Sequence, residues 1–258
     1  MAKILAVSSQ VVFGPVGLSA IVPALQAEGH EVLALPTVQL SNHPGHGKPA
    51  GVAHDLVSMV AALENIKALD NLDAVITGYF ASTEQIHVAA NLIRKHRPKI
   101  ILIDPVLGDH GKLYVPESVA KAIRDELLPL ATICMPNAFE LSWLTGLSVT
   151  TIDEAKAAAQ KLDAREVIVT SVTDGQNLAT MRITKSNLTI IRNLKRDLVP
   201  NGTGDLLSGL YLARQFGAIK KSSLNDAMEI LQTAIALSGS TKSLAIAQAL
   251  HRKDQPHD

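Results

Sequence analysis

The sequence has little of what several protein classes require. Its one cysteine, Cys134, excludes an internal disulfide, and the apolar run "ATICMP" around it predicts a buried small side chain rather than a nucleophile. Lys+Arg and Asp+Glu are both 24, so no basic surface for nucleic acid or membrane is indicated. No apolar run is long enough to span a bilayer or to form a signal peptide. We therefore expect a soluble, cytoplasmic protein that binds neither nucleic acid nor membrane.

Aromatic residues are also scarce, at 3% of the 258 residues, whereas hydrophobic residues of all kinds reach 47%. The core is therefore expected to consist mainly of Ala, Leu, Ile and Val. Short apolar runs such as "KIILIDPV" have the composition of strands buried on both faces, and they alternate with segments of helical spacing such as "STEQIHVAANLIRKH". This alternation predicts an α/β fold with a doubly wound, mainly parallel central sheet flanked by helices. The absence of linkers and repeats predicts a single domain over residues 1–258.

Several element boundaries can also be predicted. A helix is expected over Ala53–Leu69, after a loop at Ser41–Gly51 that is crowded with Gly, Pro and His. The runs "LATMRI" and "NLTIIRNL" are expected to pair as antiparallel strands. Two closing helices follow, and the polar tail His251–Asp258 is expected to fray.

Polar residues occur where the predicted strands end. Ligands of such sheets bind beyond the carboxyl ends of the strands, so these residues predict a binding cleft, although each one alone is also explained by turn formation. They are Ser9 and Gln10, Thr77 to Tyr79, Asp104 and Pro105, Pro136 and Asn137, and Thr170 and Ser171.

The stretch "VPNGTGDLLSG" supplies a possible phosphate site, because the sequence has neither a Walker loop nor a Rossmann glycine pattern. Gly202 and Gly204 allow a tight turn with exposed N–H groups, and the helix that follows adds the positive end of its dipole. Asp205 at the helix start could accept the proton of an attacking hydroxyl during phosphoryl transfer. The alternative is that Asp205 only caps the helix.

Two further segments suit a nucleotide with its metal. In "DPVLGDHGKLYVP", Asp104 and Asp109 are oxygen ligands of the kind that a hydrated Mg²⁺ takes beside phosphates, or else two turn-forming residues. In "MPNAFELSWLTG", Asn137 and Glu140 lie three residues apart at a helix start, where capping explains them equally well. The occurrence of all three segments in this order favours the catalytic interpretation.

Nearly the whole chain resembles the pyridoxal kinases of the ribokinase-like superfamily. The resemblance rests on the segments "SSQVVFGPVG", "TVQLSNHPGHGKPAG", "TGY", "DPVLGDHGKLYVPE", "PNAFELSWLTG", "VIVTS" and "NGTGD". It implies ATP-dependent phosphorylation of the 5′-hydroxymethyl group of pyridoxal, pyridoxine or pyridoxamine. It also implies a homodimer, a requirement for Mg²⁺ and a monovalent cation such as K⁺.

The resemblance also implies roles for individual residues. Asp205 matches the catalytic base, and Gly202, Thr203 and Gly204 match the anion hole. The residues that match the vitamer pocket are Ser9, Val16, His43 and Tyr79. The positions that match the nucleotide side are Asp109, Tyr114, Asn137, Glu140, Thr170 and Ser171, and those around the metal are Asp104, Asp109 and Glu140.

The chain departs from the family pattern at Gln10, Leu18, Pro44, Pro49 and Met135. Pro44 and Pro49 remove a hydroxyl and an aromatic ring on the substrate side, which leaves the preferred vitamer open. A hydroxymethylpyrimidine kinase, or a non-catalytic protein that binds pyridoxal phosphate or nucleotide, is the alternative. His43 and His46 have the spacing H-x-x-H, but with no cysteine or carboxylate motif beside them we expect a pocket residue and a solvated residue rather than a zinc site.

Overall fold

The computed structural model describes residues 1–216 and 223–253, and these contain eleven strands and nine α-helices. The strands are β1 (Lys3–Phe13), β2 (Glu31–Asn42), β3 (Gly51–Ala53), β4 (Ala74–Thr77), β5 (Ile100–Ile103), β6 (Gly108–Asp109), β7 (Lys112–Leu113), β8 (Ile133–Cys134), β9 (Glu166–Asp174), β10 (Asn177–Thr184) and β11 (Leu188–Leu194). The helices are α1 (Leu18–Gln26), α2 (Leu56–Asn65), α3 (Thr83–His96), α4 (Glu117–Ala122), α5 (Ala138–Thr145), α6 (Ile152–Ala159), α7 (Thr203–Ala213), α8 (Ser223–Ser238) and α9 (Ile246–Lys253).

The chain divides into two compact units. The first comprises Met1–Asp55, Leu72–Ile76 and the chain from Asp197 onward, and the second comprises Leu56–Asn71 and Thr77–Arg196. The single domain over residues 1–258, expected from the absence of linkers and repeats, stays a prediction.

In the first unit the strand order is β4-β1-β2-β3. Strands β1 and β2 are parallel, and their register shifts between Ser8 and Gln10, so that Ser9 lies at an irregularity. Helix α1 packs against α7, and the two backbones come close at Gly209, where an added Cβ would lie 3.0 Å from Cβ of Ala24. Helix α7 is apolar nearly all round and buried from Leu206 onward, which fixes its N-terminal turn in place.

In the second unit the strand order is β5-β8-β9-β10-β11. Strands β5, β8 and β9 are parallel, whereas β9, β10 and β11 are antiparallel, as the two runs "LATMRI" and "NLTIIRNL" predict. The four residues of β5 are all buried, as expected of a strand covered on both faces. The predicted α/β class, with a mainly parallel sheet flanked by helices, is confirmed.

Some predicted boundaries are wrong. The helix expected over Ala53–Leu69 begins at Leu56, because Gly51–Ala53 pairs with β2 as strand β3. The tail expected to fray is helical up to Lys253 in α9, and residues 254–258 lie outside the described part of the chain. None of the helices within residues 1–216 and 223–253 has the length and hydropathy that a membrane span needs.

Candidate functional site

Helix α7 begins with a glycine turn that tolerates no side chain. Gly202 is the N-cap residue, with φ of 91°, in the left-handed region that glycine occupies without strain. A Cβ on Gly202 would lie 2.1 Å from the carbonyl oxygen of Pro15, so the loop before α1 leaves room for a bare backbone only. Gly204 has open space where a Cβ would lie. The turn therefore presents backbone amides and an unobstructed surface, as an anion site at a helix start requires.

The carboxyl group of Asp205 is partly buried at this helix start. The backbone N–H of Gly17 donates a hydrogen bond to it, and burial raises the pKa of Asp205 to about 6 despite that bond. Burial raises a carboxyl pKa because the charged form loses its hydration. A group with this pKa is deprotonated at neutral pH yet basic enough to accept a proton, which suits a general base.

Gly17 is as constrained as Gly202. Its φ is 57°, and an added Cβ would lie 2.2 Å from the carbonyl oxygen of Ser9. Sequence reasoning did not single out Gly17, because its role depends on the approach of Asp205 from a distant part of the chain. The pattern "GPVG" only indicates a loop.

Three of the predicted vitamer residues lie in the first unit. Ser9 is at the irregularity of β1 and is buried, and Val16 is also buried. The Cγ1 atom of Val16 lies 3.3 Å from the position of a Cβ on Gly202, so this side chain borders the glycine turn. His43 is half-buried, and its pKa is lowered by burial and by the neighbouring His46. An imidazole with a lowered pKa stays neutral at physiological pH.

The expectation that His46 is solvated is wrong for its Nε2 atom. That atom is buried and has no hydrogen-bond partner among the described residues. The ring packs edge-on against Phe13, with centroids 5.0 Å apart, and also contacts Gly14. Within residues 1–216 and 223–253, no three or more His, Cys, Asp or Glu side chains are already grouped closely enough to hold a metal ion.

Gln10, one of the departures from the family pattern, has a structural partner. Its side-chain amide donates a hydrogen bond to Oγ of Ser19 at 2.9 Å, and that hydroxyl donates to the carbonyl oxygen of Val11. The side chain therefore ties β1 to α1.

In the second unit, Asn137 and Glu140 form a capping box at the start of α5. The Glu140 carboxylate is buried and accepts three backbone N–H groups, from Asn137 at 2.9 Å, Leu107 at 2.8 Å and Gly108 at 3.3 Å. The Asn137 side-chain amide donates to the carbonyl oxygen of Gly108 at 2.8 Å. Burial raises the pKa of Glu140, and the nearby Asp109 raises it further, against these three hydrogen bonds. The pair therefore clamps the segment that carries Asp109.

That segment is strained at Val106, which has φ of 42°. A β-branched residue rarely adopts this conformation, and such strain persists where the surroundings over-determine it. Gly108 has no room for a Cβ, which would lie 2.1 Å from the carbonyl oxygen of Lys112 across the β6–β7 hairpin. The two strands of the hairpin are therefore closely packed at Gly108.

The other predicted metal and nucleotide residues are also in the second unit. Asp104 follows β5 and is buried, and its N–H donates to the carbonyl oxygen of Thr77 at the end of β4. Asp109 is more accessible, with 37% of its side chain exposed. Tyr114 is exposed, and its pKa is raised by partial burial and by the charges of Asp109 and Glu140.

The remaining three predicted residues are Thr170, Ser171 and Tyr79. The prediction that Thr170 and Ser171 end a strand is wrong, because pairing with β10 carries β9 on to Asp174. Thr170 donates its N–H to the carbonyl oxygen of Pro136 at 3.0 Å and forms a bridge with Asn137. Ser171 is exposed and has φ of 60° within β9. Tyr79, predicted on the vitamer side, follows β4 in the second unit and is half-buried, which raises its pKa.

Cys134 has the properties that its apolar neighbours predict. It is fully buried in β8, and its pKa is raised first by burial and then by the charges of Asp104 and Glu140. A thiol of this kind stays protonated and is a poor nucleophile.

The parallel α/β architecture and the glycine turn before Asp205 define a kinase fold of the ribokinase-like class. The chain belongs to the phosphomethylpyrimidine kinase family, which it matches over residues 22–252. A pyridoxine/pyridoxal/pyridoxamine kinase of Bordetella avium is 39% identical over 220 residues, which are 79% of this chain and 74% of the relative.

Solved structures give the same result. The pyridoxal kinase of Entamoeba histolytica superimposes with a TM-score of 0.93 at 27% identity, covering 100% of this chain and 97% of its own. The pyridoxal kinase of Leishmania donovani in complex with ADP and pyridoxine has a TM-score of 0.87 at 27% identity, with 99% and 96% covered. The predicted resemblance to pyridoxal kinases is confirmed.

Proposed function

We propose that this protein transfers the γ-phosphoryl group of ATP to the 5′-hydroxymethyl group of pyridoxal, and that pyridoxine and pyridoxamine are further substrates. One observation carries the proposal. The Asp205 carboxyl, with a pKa raised to about 6, lies at the start of a buried helix beside the bare amides of Gly202 and Gly204. A base and an anion site in one turn are the parts that phosphoryl transfer to an alcohol needs.

In the proposed reaction the vitamer hydroxyl attacks the γ-phosphorus, the bond from that phosphorus to the bridging oxygen breaks, and ADP leaves. The carboxylate of Asp205 takes the hydroxyl proton. The amides of Gly202, Thr203 and Gly204, with the dipole of α7, stabilise the negative charge on the transferred group. Proton acceptance by Asp205 and charge stabilisation by the amides both rely on the left-handed conformation of Gly202, which leads the backbone into α7.

We assign vitamer recognition to Ser9, Val16, His43 and Tyr79. Ser9 and the neutral imidazole of His43 can hydrogen-bond the ring substituents, while Val16 and Tyr79 offer apolar contact. Two contacts support this assignment: the Cγ1 atom of Val16 lies 3.3 Å from the position of a Cβ on Gly202, and Ser9 closely approaches Gly17, whose N–H donates to Asp205. This placement supports a vitamer near Asp205.

We assign the nucleotide to the second unit, to Asp109, Tyr114, Asn137, Glu140, Thr170 and Ser171. Mg²⁺ would be held at Asp104, Asp109 and Glu140, where it would neutralise phosphate charge. The residues fit an ion bound mainly by phosphates and water, since Glu140 already accepts three N–H groups and Asp109 is the accessible carboxylate. A monovalent cation such as K⁺, a homodimer, a cytoplasmic location and a single domain remain further predictions from the resemblance.

A hydroxymethylpyrimidine kinase is the second candidate, because the family description names phosphomethylpyrimidine. The curated relatives and the complexes with pyridoxine favour pyridoxal kinase activity instead, both over this candidate and over a non-catalytic binding protein.

ADP release measured with pyridoxal, pyridoxine, pyridoxamine and hydroxymethylpyrimidine tests the proposal. We expect turnover with at least one of the three vitamers at a kcat/KM well above that for the pyrimidine. Asp205→Asn should lower kcat about 10²- to 10⁴-fold while leaving ATP binding largely intact. Turnover of the variant at the wild-type rate would refute the role of Asp205.

A further inference from the structure

The segment His43–Gly47, called here the substrate loop, forms a compact turn that carries the proposed vitamer residue His43. The Nδ1 atom of His43 accepts the N–H of Gly45 at 3.1 Å, and its carbonyl oxygen accepts the N–H of His46 at 2.9 Å. The Asn42 side-chain amide donates to the carbonyl oxygens of His43 and Gly47. These bonds fix the internal shape of the substrate loop. The N–H of His43 also donates to the carbonyl oxygen of Phe13 at 3.1 Å, which joins the loop to β1 but not to the glycine turn.

Asn201 contacts the substrate loop directly. A Cβ on Gly45 would lie 2.8 Å from the Nδ2 atom of Asn201, closer than real Cβ contacts, so the absence of a side chain at residue 45 lets Asn201 sit against the loop backbone. Asn201 immediately precedes Gly202, the residue that begins the anion hole. One residue therefore connects the substrate loop to the catalytic turn.

Lys242 contacts both Asn201 and the substrate loop. Its carbonyl oxygen accepts the N–H of Asn201 at 3.1 Å, and Asn201 forms a parallel bridge with Ser243. Its ammonium group donates to the carbonyl oxygen of Gly45 at 3.4 Å, across a sequence separation of 197 residues. The segment before α9 thus holds Asn201 in place and reaches the substrate loop itself.

We propose that Asn201 and Lys242 are positioning residues that fix the substrate loop relative to the anion hole, and thereby set how tightly the vitamer is bound. The proposal rests on the proposed function, since it assigns His43 to the vitamer. Neither residue touches the reacting atoms. Their effect is on the KM for the vitamer, because the residues assigned to ATP lie in other segments.

Lys242→Met and Asn201→Ala test this by steady-state kinetics. We expect each to raise the KM for the preferred vitamer about three- to ten-fold, as for the loss of one hydrogen bond or close contact, with the KM for ATP within two-fold of wild type. Lys161→Met, the loss of an exposed charge in the second unit, is the matched control and should change neither constant. Equal effects on both KM values, or no effect on either, would overturn the proposal.

A double-mutant cycle separates positioning from general destabilisation. Gly45→Ala places a methyl group against Asn201 and should raise the vitamer KM, whereas combining it with Asn201→Ala removes two of the three nearest atoms that the methyl group meets and leaves only Nδ1 of His43. We expect the double variant to be no worse than the worse single variant, because both changes act on the same contact. Strictly multiplicative effects would show that the two positions act independently, contrary to the proposal.

Amide hydrogen exchange of the substrate-free protein gives a readout that needs no kinase activity. Exchange of the amides of Gly45, His46 and Gly47 should be faster in Lys242→Met than in wild type, while the amides of α7 keep their protection. If the protein turns over no vitamer but the loop amides respond, the function fails and the contact stands. If vitamer turnover is found but the loop amides exchange alike in both proteins, the positioning role fails alone.

Discussion

Replacing Asp205 by asparagine should stabilise the protein in a pH-dependent way while abolishing most of its activity. Burial raises the pKa of Asp205 from an ordinary value of 3.8 to about 6, so the folded protein resists ionisation of this group. Below pH 3.8 the carboxyl is neutral in both the folded and the unfolded chain, and its burial costs nothing extra. Between pH 3.8 and about 6 it ionises more readily in the unfolded chain than in the folded protein, so stability falls as the pH rises, and above about 6 the loss is complete.

The size of this loss follows from the shift. A difference of about two pH units, at 1.36 kcal/mol per unit, corresponds to about 3 kcal/mol of unfolding free energy above pH 7. The asparagine cannot ionise and keeps a carbonyl oxygen for the N–H of Gly17. The stability difference between Asp205→Asn and wild type should therefore grow from near zero at pH 4 to about 3 kcal/mol at pH 7.5. At about 2–4 °C per kcal/mol, that is a gain in melting temperature of about 6–12 °C.

Urea unfolding of both proteins at pH 4.5, 5.5, 6.5 and 7.5, without ligands, measures the difference. Equal m-values are the control that both proteins lose the same structure. A pH-independent effect of the asparagine amide on stability shifts the stability difference equally at all four pH values. The change of this difference with pH is therefore the quantity to compare. A difference that stays constant within about 0.5 kcal/mol, or a wild type that gains on the variant as pH rises, would refute the raised pKa and with it the poised base.

Three other changes test separate parts of the site. Gly17→Ala places a methyl group 2.2 Å from the carbonyl oxygen of Ser9 at a φ of 57°. It should lower stability by more than the control variant Gly175→Ala, because Gly175 has a similar φ of 61° but open space around it. Comparable melting temperatures of the two variants would contradict the close approach at Gly17. Glu140→Gln keeps one of the two acceptor oxygens of the carboxylate, whereas Glu140→Ala keeps neither, so it should raise the KM for ATP less than Glu140→Ala, with the vitamer KM unchanged; a vitamer-specific effect would contradict the clamp. Cys134→Ala should keep kcat within a few-fold while lowering the urea midpoint, and loss of activity in a folded variant would contradict its passive role.

The architecture could be predicted from sequence because its signals are local. Runs such as "IILI" are buried on both faces in β5, and Ser82 and Thr151 cap α3 and α6 through their side chains. Strand β3 was missed because its residues are exposed and its strand character comes only from pairing with β2. The two-residue strands β6 and β7 are too short to leave a periodic pattern.

The candidate site divides in the same way. Asp205 and its glycines were predictable because a turn, a helix start and a carboxylate coincide within five residues. Gly17, Asn201 and Lys242 were not, because what matters about each is a distance to a residue far away in the chain. For His46 the sequence is misleading. The composition of its loop predicts an exposed side chain, whereas its Nε2 atom is buried and its ring lies beside Phe13 and Gly14.

The segment "DPVLGD" shows why structure can decide between a turn and a functional loop. Capping and turn formation explain Asp109, Asn137 and Glu140 one at a time, but an ordinary turn has no reason to hold Val106 at φ of 42°. Backbone strain of about 1–3 kcal/mol persists only when the surroundings impose it, and here the Glu140 carboxylate binds the two amides that follow Val106. Because a buried carboxylate holds this strained backbone in place, we infer that the conformation of the loop matters for its function. That observation supports the assignment of this segment to the nucleotide and its metal.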